Sequence, residues 1–164
     1  MIIVRRKLMS VGLATLAVAS FVAGCMTPAQ EKQDNLLRNS RELNNDIRWA
    51  RYDTAAAHFE AAEGLRFLRR ADLVAEELVI ADHEMTSIKF DAPPVKAKTV
   101  AQFEWYMKND LVIHKTLVEQ SWELSSGTWR ITSQRRLRGQ RFPLVPEASP
   151  KNDATDAGPP AEKP

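Results

Sequence analysis

Between Val95 and Lys108 the chain alternates: Val95, Ala97, Ala101, Phe103, Trp105 and Met107 share one parity, Lys96, Lys98, Gln102, Glu104 and Lys108 the other. A period of two is the signature of a strand with one face buried and one wet. Asn109-Asp110 predicts a two-residue hairpin turn. Folding there sets Trp105 opposite His114, Ala101 opposite Val118, Ala97 opposite Trp122 and Val95 opposite Leu124, while Glu104 meets Lys115 and Lys96 meets Glu123. Apolar groups pair on one face and opposite charges on the other, so a single register satisfies both.

A second turn at Ser126-Gly127 extends the pattern, with Trp129 against Leu124, Ile131 against Trp122 and Arg130 against Glu123. An earlier strand, Val79–Phe90, joins through Asp91-Ala-Pro-Pro94; it places Ile88 beside Ala97 and Phe90 beside Val95, and leaves Lys89 opposite Lys96. Upstream the period becomes helical. Leu36, Leu43, Ile47, Ala50 and Thr54 recur at three- and four-residue spacing behind an N-cap at Asp34 or Ser40. A short alanine-rich helix over Ala55–Ala62 follows, then a break at Gly64 and a third helix over Leu65–Leu78. The expected fold class is α+β: N-terminal helices packed on a curved four-stranded antiparallel sheet.

The start of the chain is of another kind. Arg5, Arg6 and Lys7 precede Leu8–Val22, a stretch without charge, and Val22-Ala-Gly-Cys25 closes it with the only cysteine. Basic, apolar and small-residue regions in that order describe a secretory signal. Residues 1–25 resemble the lipobox signal of bacterial lipoproteins. The resemblance implies cleavage between Gly24 and Cys25, acylation of Cys25, and a lipid-anchored place in the bacterial cell envelope. Met26, rather than Asp, after the cysteine implies the outer membrane. Two other readings compete: a spanning helix over Leu8–Met26, weakened by Ser10, Gly12 and Ser20, and an ordinary thiol beside an ordinary cleavage site. Removing residues 1–24 lowers the basic count from 23 to 20 against 21 acidic residues, so the net charge moves from +2 to −1. Nothing global draws such a chain to polyanions, and an exported protein is a poor partner for nucleic acid.

The expected organisation is a signal over 1–24, a lipidated cysteine and tether over 25–33, one domain over 34–142, and a disordered tail over 143–164. The tail carries six of the nine prolines and almost no large apolar residue after Val145.

The helical first half, the segment Trp49-Ala-Arg-Tyr-Asp53, and the hairpin Trp122-Glu-Leu-Ser-Ser-Gly-Thr-Trp129-Arg-Ile131 together resemble the NTF2-like (cystatin-like) superfamily over residues 35–137. That resemblance implies a curved sheet around helices, often a conical pocket and often a dimer. It implies no activity, since the fold carries enzymes, transport factors and binding modules alike.

In the expected registers the inner face has an apolar end and a polar end, the latter with Asp82, Glu84, Trp105, His114, Thr116 and Gln120. These form the candidate pocket, or else a region that the helices leave wet. A ketosteroid-isomerase-like mechanism would need a carboxylate base with a tyrosine and a protonated acid as donors. Asp82 or Glu84 suits the base, but Tyr52 and Tyr106 fit no donor position, so no catalytic residue is assigned. His58, His83 and His114 lack metal-ligand spacing, with His83 and His114 expected on opposite faces, and no cofactor or metal is implied. Arg135, Arg136, Arg138 and Arg141 form the one charge concentration, a solvated strand end or a contact for acidic lipid headgroups or envelope glycans. The reading is a lipid-anchored envelope protein presenting a non-enzymatic binding or assembly domain, with an envelope protein or a second copy as partner. The alternative is a small-molecule carrier or enzyme that uses the concave face.

Overall fold

The computed structural model describes residues 27–147. The expected signal, Cys25 and the chain after Glu147 lie outside the described residues. Helix α1 (Pro28–Arg48) starts earlier than expected, so residues 28–33 are helix and not tether. Thr27 caps it: its hydroxyl accepts the Gln30 N–H at 3.2 Å, and Pro28 occupies a position where an amide would have no partner. Leu36, Ser40, Leu43, Asn44 and Ile47 form its buried stripe. The helix stops where Ala50 turns left-handed (φ 52°). There the Ala50 N–H reaches Ile47 O and the Arg51 N–H reaches Asp46 O, at 3.2 and 2.8 Å. This is a Schellman closure with alanine in the usual glycine position. Ala50 and Thr54, expected on the apolar stripe, are both exposed.

Helix α2 (Tyr52–Ala56) is a single turn, and α3 (Ala61–Asp72) runs through Gly64 without a break. A Cβ on Gly64 would sit 3.0 Å from the Ala56 carbonyl oxygen and 3.6 Å from Phe59 Cβ. The glycine lets α3 pass close to the preceding turn, and Phe67 stacks on Phe59 beside it at 4.8 Å. Leu78, expected at the end of the third helix, belongs to the first strand.

Strands β1 (Leu78–Phe90), β2 (Lys96–Met107), β3 (His114–Ser125) and β4 (Thr128–Gly139) form one antiparallel sheet in the order β1-β2-β3-β4. Helices followed by a four-stranded open sheet make the protein α+β, as expected. The β2–β3 register is the expected one throughout, including Ala97 opposite Trp122 and Lys96 opposite Glu123. The turn is not: Lys108–Ile113 connects the strands, with Leu111 left-handed (φ 54°) and its N–H on Met107 O at 2.9 Å. The register survives because cross-strand pairing sets it and the loop only has to close the gap.

The β3–β4 register holds from Ser125–Thr128 to Trp122–Ile131 and then slips at two bulges in β4. The β1–β2 register departs more. Phe90 pairs with Ala97 and Lys89 with Lys98, two residues from expectation, and bulges between Ile80 and Asp82 and between Met85 and Ser87 restore the expected pairing at Leu78–Met107. Each bulge adds one residue and reverses the parity of the residues beyond it. Between them His83 and Met85 face inward and Asp82, Glu84 and Thr86 face solvent.

The free edge of β4 is covered by the segment after α2, where the Ile131 N–H donates to His58 O and the Glu60 N–H to Ile131 O, at 2.8 and 2.9 Å. The last described residues also pack. Phe142, Leu144 and Val145 are core residues, and Arg70 donates to the Leu144 carbonyl at 2.9 Å. Pro143–Glu147 therefore belongs to the domain and not to a tail.

Candidate functional site

On the inner face of the sheet, β2 contributes Thr99, Ala101, Phe103 and Trp105, and β3 contributes His114, Thr116, Val118, Gln120 and Trp122. The polar groups among them are used up by one another. Trp105 Nε1 donates to Thr116 Oγ1 (3.0 Å), which donates to the Gln140 carbonyl (2.8 Å). Trp122 Nε1 donates to Thr99 Oγ1 (3.0 Å), Thr99 donates to Gln120 Oε1 (2.9 Å), and Gln120 Nε2 donates to Asn44 Oδ1 of α1 (2.9 Å). Thr99 and Gln120 are fully buried and Thr116 almost so. An unpaired polar group here would cost about 1–3 kcal/mol, and the two chains remove that cost. Over them Phe142 stacks on Phe103 at 5.0 Å and leans on Trp105 at 5.7 Å, while His114 packs against the same indole at 4.7 Å. The expected polar end of the face is a hydrogen-bonded network under an aromatic cover, with the buried Gln134 Oε1, on β4 opposite Gln120, left without a partner.

Four of the candidate pocket residues, Trp105, His114, Thr116 and Gln120, do share this face. Asp82 and Glu84 do not. The bulge at Ala81 turns both to the exposed face, where Asp82 pairs with Arg48 at 3.0 Å. The carboxylate base that the isomerase-like alternative required is thus outside the inner face. The carboxylates that are buried elsewhere are held by arginine: Asp46 by Arg51 at 2.7 Å, and Glu63 by Arg66 and Arg70 at 2.8 and 3.1 Å.

The histidines are more buried than their sequence contexts suggest. His83 faces inward, on the same side as His114 and not the opposite one, with its Nε2 3.1 Å from Asn45 Oδ1. Burial, then the Arg48 cation, holds its pKa below the usual histidine value. Burial also lowers that of His58, partly offset by Asp46, whose carboxylate lies 3.9 Å from the ring. Among the described residues no group of three or more His, Cys, Asp or Glu is placed to hold a metal ion.

The four arginines do not form one patch. Arg135 lies on the solvent face and donates to Glu119 at 2.8 Å, a bond that pulls the Glu119 pKa down. Arg136 donates to its own strand end at Gly139 O, and Arg141 meets Glu147 at 3.4 Å. Arg138 lines a shallow 230 Å³ notch with Lys115 and Gln102. Sequence reading missed a different feature. Trp49, Leu73, Leu111, Val112 and Ile113 are large, apolar and exposed. The run Leu111-Val112-Ile113 is visible in the sequence, but a two-residue turn would have absorbed it into the strand.

No family model matches the sequence, and no curated protein does. Among solved structures the chain is similar to the intermembrane space region of the chloroplast protein ARC6, at 13% identity and a TM-score of 0.44, covering 68% of this chain and 97% of that one. It is also similar to a protein of unknown function with a cystatin-like fold from Nostoc punctiforme PCC 73102, at 12% identity and a TM-score of 0.47, covering 73% and 92%. At these values the likeness is confined to fold.

Proposed function

We propose that the protein is lipid-anchored through Cys25 in the bacterial envelope, at the outer membrane, and presents a non-enzymatic NTF2-like domain for binding or assembly. The anchor rests on Val22-Ala-Gly-Cys25 behind its apolar run. The observation that carries the non-enzymatic reading is the inner face itself. Thr99, Trp105, Thr116, Gln120 and Trp122 pair with one another, with Asn44 or with the backbone, Gln134 Oε1 is the one buried side-chain nitrogen or oxygen among the described residues without a partner, and Phe142 stacks where a ligand would meet Phe103 and Trp105. Substrate entry there would require the Phe142–Val145 segment to leave. Metabolic labelling with a fatty acid tests the anchor: label enters the wild-type chain and not Cys25→Ala, and label retained by the Ala variant overturns it.

A further inference from the structure

Four of the eight exposed large apolar residues among the described residues, Trp49, Leu111, Val112 and Ile113, lie at one end of the domain, while Leu65, Leu73, Val95 and Leu137 lie on other segments. Trp129 Nε1 donates to the Lys32 carbonyl near the start of α1, whereas Arg48 at its end holds Ala81 O and Asp82 at the start of β1. The start of α1 therefore lies at the β3–β4 turn, and its end lies where β1 begins and the β2–β3 connection projects. That second end carries Leu111, Val112 and Ile113, which are 69, 53 and 61% exposed, and also Trp49, 64% exposed with the Arg48 guanidinium 5.5 Å above its ring. Trp49 and Lys108, at the base of the connection, line one cleft of 320 Å³. Three consecutive aliphatic residues on a projecting loop suit a fluid apolar phase better than a flat protein surface, and an exposed tryptophan suits its boundary.

Charge is arranged to match. Gly139 pairs with Thr116 just beyond the connection, so the end of β4 stands beside it, with Arg138 and Lys115 on the outer face, Arg136 on the other face across from Val118, and Arg141 following the strand. Lys115 and Arg141 have carboxylate partners in Glu104 and Glu147, while Arg136 and Arg138 have none within ion-pair distance among the described residues. Asp110, in the connection itself, turns its carboxylate back to the Val112 N–H at 3.1 Å and to His114 at 4.0 Å, and the acidic residues Glu76 and Glu77 lie on the opposite, β1 flank, where Lys108 Nζ reaches the Glu76 carbonyl at 2.6 Å.

We propose that this end of the domain is a lipid-contacting surface, with Leu111, Val112 and Ile113 entering an anionic bilayer and the β4-side arginines resting on its headgroups. It adds a second membrane contact to the function proposed above. The two are separable, because α1, with 21 residues, puts about 30 Å between the ends. The test uses the chain from Met26 onward, which lacks the acylation site and contains every core residue from Leu36 to Val145. Its failure therefore leaves the Cys25 reading untouched, and loss of acylation leaves this one untouched. Flotation with phosphatidylcholine vesicles containing phosphatidylglycerol at about 3:1 should recover the wild-type chain, and raising the salt from about 0.05 to 0.5 M should weaken recovery. L111N/V112S/I113S, with an unchanged melting temperature, should lower the partition at least tenfold. Arg136→Gln with Arg138→Gln should lower it several-fold on the anionic vesicles only. No flotation of the wild-type chain, or equal flotation of the tip variant, overturns the proposal. So does a concentration-dependent dimer that the tip variant abolishes in sedimentation, since the tip would then be a contact between copies.

Discussion

Trp122 and Glu123 are neighbours in sequence with opposite fates. Trp122 is 1% exposed, bonded to Thr99 and flanked by Ala97 and Ile131, while Glu123 faces Lys96 at 3.6 Å in solvent. Trp122→Ala should cost about 3–5 kcal/mol, because the cavity is lined by a stiff sheet and Thr99 loses its donor. Glu123→Ala should cost about 1 kcal/mol or less. Denaturant melts of the two variants check this, and equal losses would contradict the packing. His58 and His83 set the pH response. Both have folded pKa values below the unfolded value of 6.5, so the unfolded chain takes up protons first as the pH falls. Their contribution is complete above about 6.5 and is lost as the pH drops from there toward the folded values. The melting temperature should therefore fall between pH 7.5 and 5.5, and His58→Gln with His83→Gln should flatten that slope. An unchanged slope would mean that neither ring is held neutral.

At the scale of elements, the glycines and bulges decide more than the strands do. Gly139 ends β4 at φ 95°, and a Cβ there would lie 2.0 Å from the Lys115 carbonyl oxygen and 2.9 Å from Thr116 Cα. Backbone cannot give way as a side-chain tip can, so Gly139→Ala should cost about 2 kcal/mol or more. Gly127, at φ 79°, has open space around the same atom, and Gly127→Ala should cost only the left-handed penalty of about 1–2 kcal/mol. At Ala50 the argument reverses. Its φ of 52° in the closure of α1 suits glycine, so Ala50→Gly should be neutral or stabilise by up to about 1 kcal/mol, read from thermal melts.

The whole molecule is closed by residues far from its helices in sequence. Phe142 covers Phe103 and Trp105, and Leu144 and Val145 complete the core beside α3. A chain ending at Arg141 should lose more than about 3 kcal/mol, whereas one ending at Glu147 should melt with the full chain. If both truncations melt alike, the segment does not close the core.

Much of the sheet is legible in the sequence, for a physical reason. The β2–β3 register and the first part of β3–β4 follow from local alternation and from turns that bring near neighbours together, so each pairing is written in adjacent residues. The β1 pairing is not, because bulges at Ala81 and Thr86 leave no mark in composition, yet each reverses the face of every residue after it. Asp82 and Glu84 look like pocket carboxylates for that reason alone. Likewise Phe142, Leu144 and Val145 sit among prolines, and local composition reads such a stretch as unpacked. Only the assembled sheet and α3 offer them an apolar surface, and burial there outweighs the ordering cost that the isolated segment could not meet. The sequence alone determined the alternation, the charge ladder and the lipobox-like start. Tertiary structure decided which polar residues are buried with partners, which carboxylates face water, and which end of the domain is left apolar.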